Sequence, residues 1–146
     1  MTSPITIHHL GPQDLERLCA VPEGLFDHPV DPGLAAAFLA DPLHELVLAY
    51  EGELAVAFAS GTVLLHPDKP PSMFVNEVAT RDSHLRRGLA TAVTEALFAV
   101  ARARGCEGIW LGTEPDNTPA LALYRKLGGD EQPFVGFGWD GALDPE

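Results

Sequence analysis

Positive charge is scarce in this 146-residue chain: nine Lys plus Arg stand against 21 Asp plus Glu, a formal net charge of -12. That balance argues against a nucleic-acid partner, since such binders lay cations against phosphates, and it favours a cationic partner or substrate, although acidity also serves solubility. Cysteine is as sparse. Cys19 and Cys106 are the two present; neither has a Cys or His neighbour at metal-ligand spacing, so neither a disulfide framework nor any metal site is expected, and Cys19 reads as core. No apolar run approaches the ~18 residues of a membrane span, and the opening Met-Thr-Ser-Pro lacks the basic and apolar regions of a signal peptide, so a cytoplasmic protein with no membrane partner is expected. Neither Gly-x-Gly-x-x-Gly nor Gly-x-x-x-x-Gly-Lys occurs, which disfavours a Rossmann or P-loop nucleotide site. Internal repeats and low-complexity segments are missing as well. The six histidines, at 8, 9, 28, 44, 66 and 84, share no metal spacing and read as surface or loop residues.

What is present suits one domain spanning residues 1–146, long enough to bury roughly 68–70% of its unfolded surface. Alternation predicts a first strand over residues 5–10, and Gly11-Pro12 then opens a short helix with Leu15, Leu18 and Cys19 on one side. Asp31-Pro32 supplies an N-cap and a proline at the first helical position for a second helix, which stops near Ala40 because Asp41 precedes a proline. Residues 45–50 and 54–65 flank Glu51-Gly52 and read as an antiparallel hairpin, with Gly61 hinting at a bulge or bend. After a proline-rich loop, residues 73–80 form a strand with Phe74, Asn76, Val78 and Thr80 facing one way and Val75, Glu77 and Ala79 the other. A long amphipathic helix is predicted over 87–104, ended by Gly105, then a short strand over 108–113 paired parallel to the strand of Glu77. Asn117 and Pro119 start a last helix carrying Ala120, Leu123, Tyr124 and Leu127 on one side, Gly128-Gly129 ends it, and residues 134–139 look like a closing strand.

The stretch His-Leu-Arg-Arg-Gly-Leu-Ala-Thr at 84–91 reads as an anion site. First-turn N–H groups of a helix have no intrahelical acceptor and sit at the positive end of its dipole; Gly88 allows close approach, and Arg86 and Arg87 add charge. The bland alternative is a pair of solvated arginines. Glu77, a carboxylate within an otherwise apolar strand, must be paired, hydrated or in a cleft.

The order of a strand with an acidic residue, an Arg-Arg-Gly loop, a long helix, a short strand and then Asn-x-x-Ala-x-x-x-Tyr-x-x-x-Gly resembles the GNAT superfamily of N-acetyltransferases, most closely over residues 75–128. Leu85-Arg86-Arg87-Gly88-Leu89-Ala90 matches the superfamily's phosphate loop, Gln/Arg-x-x-Gly-x-Gly/Ala, except at Leu85, where a polar side chain is missing. Asn-Glu-Val-Ala-Thr, the loop, and Pro-Ala-Leu-Ala-Leu-Tyr-Arg-Lys-Leu-Gly resemble the aminoglycoside 3-N-acetyltransferase type I branch.

The resemblance implies an α/β (α+β) fold: a mixed, mostly antiparallel sheet of about six or seven strands with a splayed parallel central pair, flanked by about four helices. It implies acetyl-CoA as co-substrate, held by Val78, Ala79, Thr80, Leu85, Arg86, Arg87, Gly88, Leu89, Ala90, Thr91, Asn117, Ala120 and Tyr124. The acetyl oxygen would face an N–H close to Val78. Glu77 is implied as general base, directly or through a water, against a structural salt bridge as the alternative. Tyr124 is implied as proton donor to the sulfur, against a packed core tyrosine, and Asn117 touches the pantetheine arm or does no more than cap its helix. The expected acceptor is a small cationic amine, aminoglycoside-like first and a polyamine or peptide N-terminus next, approached by Asp27, Asp31, Glu114, Asp116 and Asp140 and acetylated by direct attack in a ternary complex. A homodimer is compatible with this reading. The alternative function is a non-catalytic acyl-CoA sensor, which would need the loop but neither Glu77 nor Tyr124.

Overall fold

Strands β1 (Ile5–Leu10), β2 (His44–Glu51), β3 (Leu54–Leu64), β4 (Ser72–Thr80) and β5 (Gly108–Trp110) form one sheet in the order β1-β2-β3-β4-β5, in a computed structural model that describes residues 3–141. Neighbours from β1 to β4 pair antiparallel, and β4 pairs β5 parallel. The helices are α1 (Leu15–Cys19), α2 (Pro32–Ala40), α3 (Leu89–Ala103) and α4 (Thr118–Lys126). Two compact units contain these elements, Met1–Thr113 with the whole sheet and α1 to α3, and Glu114–Glu146 with α4.

In the first unit both faces of the sheet are covered, so β2 is apolar almost throughout. Leu46, Leu48 and Tyr50 pack with Leu18, Leu25, Ala35 and Leu39 on the α1–α2 side, while Val47 and Ala49 pack with Leu89, Val93, Leu97 and Ala101 on the α3 side. These α3 positions recur every four residues, an apolar stripe of the kind that drives a helix onto a sheet. Leu97 is fully buried, so Leu97→Ala would cost about 2–5 kcal/mol in lost transfer energy and cavity. Beyond α3, the N–H of Gly105 bonds the Arg102 carbonyl and that of Cys106 bonds the Ala101 carbonyl, a Schellman stop.

A charged group at the edge of this core is also buried. Glu45 is buried and accepts from His9 of β1 and Arg104 at the end of α3, tying three elements together.

Three sequence expectations are corrected. Among the described residues the sheet has five strands: residues 134–139 form no strand, and Phe134, Val135, Phe137 and Trp139 are exposed. Gly136 and Gly138 interrupt that segment, and interior glycines weaken a strand by their conformational freedom. Consequently β5 is an edge strand rather than one of a central pair, and it is three residues long, ending at Trp110. The third correction concerns β4. Ser60 faces Glu77 but Gly61 faces Val75, so Asn76 is an extra residue in the ladder, a β-bulge. Asn76 therefore leaves the alternation, donating from Nδ2 to Thr62 Oγ1 at 2.9 Å. Gly61 is required opposite it, because a Cβ there would lie 2.8 Å from Met73 Sδ and 3.2 Å from the Phe74 carbonyl oxygen.

Candidate active site

The parallel pairing of β4 with β5 stops early. Ser72, Met73 and Phe74 pair with Gly108, Ile109 and Trp110, after which β4 continues to Thr80 with no strand on that edge. Its other edge stays paired to β3 as far as Thr80 opposite Ala57. Residues 75–80 thus have no strand partner on that edge, and their backbone N–H and C=O groups there include those of the half-buried Val78, Ala79 and Thr80. The bulge lies where this opening begins. Glu77 follows it, opposite Ser60 and exposed to solvent, and its carboxylate forms no hydrogen bond or ion pair among the described residues. The structural salt bridge considered for it is therefore missing among those residues.

Beyond β4 the chain turns toward α3. The N–H of Arg81 bonds the Val56 carbonyl, and its buried guanidinium donates to the carbonyls of Ala55 (2.6 Å), Glu23 (2.7 Å) and Pro22 (2.7 Å). Residues 82–84 make one 3₁₀ turn, and His84, expected at the surface, is 8% exposed. His84 Nε2 donates to Glu51 Oε1 at 3.1 Å, and Ser83 Oγ lies in hydrogen-bond contact with His84 Nδ1 at 2.7 Å. Arg87 Nη2 donates to the other oxygen, Glu51 Oε2, at 2.5 Å. Arg87 first and His84 second hold the Glu51 carboxyl below the ordinary glutamate pKa.

Between these anchored residues, Leu85 and Arg86 are exposed, and Arg86 has φ 64°, the single non-glycine residue with positive φ among those described. Gly88 caps α3 at φ 75°, so α3 begins two residues later than the predicted 87. A Cβ on Gly88 would meet nothing within 4 Å, so the approach to the helix start is open. The first α3 bond runs from Ala92 N–H to the Gly88 carbonyl, and the N–H groups of Leu89, Ala90 and Thr91 precede it. The Leu89 side chain is buried in the core on the α3 side of the sheet.

Asp27 is exposed in the loop before α2, while Asp31 Oδ1 accepts from Leu34 N–H at 2.8 Å as the α2 cap. In the second unit, Asn117 Oδ1 accepts from Ala120 N–H at 3.3 Å, so it caps α4 as one of its two expected roles. Tyr124 is half-buried on α4, and desolvation pushes its phenol pKa above the ordinary value, keeping the proton on at neutral pH. Glu114, Asp116 and Asp140 are exposed. Among the described residues, no group of three or more His, Cys, Asp or Glu could hold a metal, and no helix is long and apolar enough to cross a membrane.

Sequence reasoning missed Glu51, Arg81 and the buried state of His84. Glu51 sits at a hairpin turn, where a solvated charge is the ordinary expectation, and no local pattern marks it.

A sheet opened along β4 beside a glycine-started helix places the chain in a known class: it belongs to the acetyltransferase (GNAT) family, whose profile matches residues 13–129. The N-alpha-acetyltransferase RimI of Mycobacterium tuberculosis is 30% identical over 129 residues, covering 87% of this chain and 79% of that protein. A mycothiol acetyltransferase of Saccharomonospora viridis is 33% identical over 129 residues, covering 80% of this chain and 42% of the relative. The chain thus spans well under half the length of some curated relatives. Among solved structures, the aminoglycoside N-acetyltransferase AAC(6')-Iy with the bisubstrate analogue CoA-S-monomethyl-acetylneamine superposes with TM-score 0.77 at 21% identity, covering 94% of this chain and 98% of that one. At that identity the likeness concerns the fold.

Proposed function

We propose that the protein is an acetyl-CoA-dependent N-acetyltransferase acting on a primary amine of a small cationic acceptor, an aminoglycoside-like compound first. One observation carries the reading: β4 parts from β5 at Phe74 and leads, with its edge open from residue 75, to a helix that starts on Gly88 with space around it. The open edge suits an extended amide-bearing arm, and the α3 start with Arg86 suits a diphosphate, so the residues present fit coenzyme A. Val78, Ala79, Thr80 and the 85–91 loop would hold it; the sequence resemblance names Asn117, Ala120 and Tyr124 as further coenzyme residues. The thioester supplies an activated acetyl group.

Glu77, directly or through a water, takes the proton that the amine nitrogen loses as it bonds the acetyl carbon; water reaches the exposed carboxylate freely. An N–H close to Val78 faces the acetyl oxygen as negative charge develops there. Tyr124 would donate its proton to the departing sulfur and regain one from solvent as Glu77 loses its own there, so the products are the N-acetylated amine and free thiol. The 30% identical RimI supports a second acceptor class, a peptide N-terminus. Thiol release from acetyl-CoA across a panel of aminoglycosides, polyamines and short peptides tests the reading. Turnover with one class and its loss in Glu77→Gln supports it, whereas coenzyme binding without thiol release from any amine leaves a non-catalytic acyl-CoA sensor.

A further inference from the structure

The two arginines of the phosphate loop are not equivalent. Arg87 is bound to Glu51 at 2.5 Å, and the same carboxylate holds His84 at 3.1 Å, so one side chain on the β2–β3 hairpin grips both ends of the segment 84–87. Between the grips Arg86 has φ 64°, a conformation that costs a non-glycine residue roughly 1–2 kcal/mol and persists where its surroundings impose it. Further back, Arg81 fixes the start of the turn through its N–H and guanidinium. Among the described residues Arg86 itself has no ion-pair partner, and it directly precedes the pair leading into the open α3 start.

We infer that Glu51 is a positioning residue for the coenzyme site: it locks His84 and Arg87 so that Arg86 alone of the two arginines is presented to the diphosphate. This rests on the acetyl-CoA reading above. Arg87 is then a strut. A like-charged carboxylate beside a phosphate site would by simple electrostatics weaken coenzyme binding, so removing its charge should tighten it. The positioning role demands the opposite sign.

The test has two arms on the intact protein. Calorimetry with coenzyme A should show Glu51→Gln and Arg87→Gln each weakening binding roughly three- to tenfold, with the double variant no worse than the poorer single, as expected for partners in one interaction. Arg86→Gln should weaken binding further in either background. In kinetics, Glu51→Gln should raise KM for acetyl-CoA and leave kcat and the acceptor KM near wild type. Hydrogen exchange of free protein supplies the second arm: amides 84–88 should exchange faster in Glu51→Gln, with those of β3 unchanged. Unchanged or tighter coenzyme binding in Glu51→Gln overturns the inference, as does unchanged exchange at 84–88. A wild type that binds no coenzyme A, with exchange at 84–88 still accelerated by Glu51→Gln, overturns the acetyl-CoA reading and the coenzyme role while the strut itself stands.

Discussion

Replacing Arg81 by methionine should destabilise the protein by about 4 kcal/mol, and the figure follows from where its three acceptors lie. Methionine keeps much of the apolar stem but none of the donors, so the change isolates the guanidinium bonds to Ala55, Glu23 and Pro22, at 2.6, 2.7 and 2.7 Å. Ala55 is 1% exposed, and its carbonyl loses this charged donor where water does not enter. An unsatisfied buried acceptor costs ~1–3 kcal/mol. Pro22 and Glu23 are exposed, so water can replace the arginine there, and each loses the net value of its bond, ~0.5–1.5 kcal/mol. The total is about 2–6 kcal/mol. With unfolding entropy near 2.1 cal/mol/K per residue, a chain of 146 residues loses roughly 13 °C of Tm for the central value.

Urea titration followed by calorimetry measures both quantities. Arg81→Lys is the control: one ammonium cannot span carbonyls from the 22–23 loop and from β3 together, so it should recover less than half of the loss. A loss below ~1 kcal/mol in Arg81→Met, or a lysine variant as stable as wild type, would show that the three short bonds are not what joins the loop before α2 to the turn before α3.

Glu77→Gln should lower kcat about 10²–10³-fold with little change in coenzyme KM, in steady-state assays of thiol release. Asp140→Asn should raise the acceptor KM more than it lowers kcat, and turnover of a polycationic amine should fall as salt rises, because screening lengths shorten to ~8–10 Å at 0.1–0.15 M; indifference to both would reduce the acidity to solubility. Glu51 has its carboxyl pKa depressed in the folded state, so its stabilising contribution is present above the unfolded value of about 4.5 and is lost as pH falls through the folded value. The Tm gap between wild type and Glu51→Gln should accordingly narrow below pH 4.5; a gap that widens on acidification contradicts the pairing.

The sequence exposed whatever local chemistry decides. The bounds of β1, the Asp31 cap with Pro32 at the start of α2, the stop after α3 and the Asn117 cap of α4 were all legible, because each depends on residues within a turn of one another. The bulge at Asn76 was not. An extra residue in a ladder is defined by the partner's register, and strict alternation along β4 hid that Phe74 and Asn76 no longer share a simple period with Glu77. Glu45, Glu51 and Arg81 were illegible for a related reason: Arg104 is 59 residues from Glu45, Arg87 is 36 from Glu51, and Arg81 is 26 from Ala55. Such partners are supplied by the fold. Residues 134–139 misled in the opposite direction, since bulky apolar residues satisfied a strand pattern that two intervening glycines undermine.

The scarcity of cations gains meaning once their partners are known. Arg17 contacts His8 and lies over Tyr50, Arg81 serves three carbonyls, Arg87 and Arg104 are held by Glu51 and Glu45, Arg125 pairs with Glu131 and Lys69 with Asp68. Among the described residues this leaves Arg86, Arg102 and Lys126 without an ion-pair or hydrogen-bond partner, and of these Arg86 stands beside the α3 start. Backbone N–H groups and one unpaired arginine can receive a diphosphate in an otherwise acidic protein without the long-range field that a cluster of free cations would add. The surplus of 21 acidic residues over nine cations would then act on whatever else approaches, and under the proposed function it would draw in a multiply charged amine. Local backbone geometry and global charge would thus divide the work, the first selecting the coenzyme and the second the acceptor.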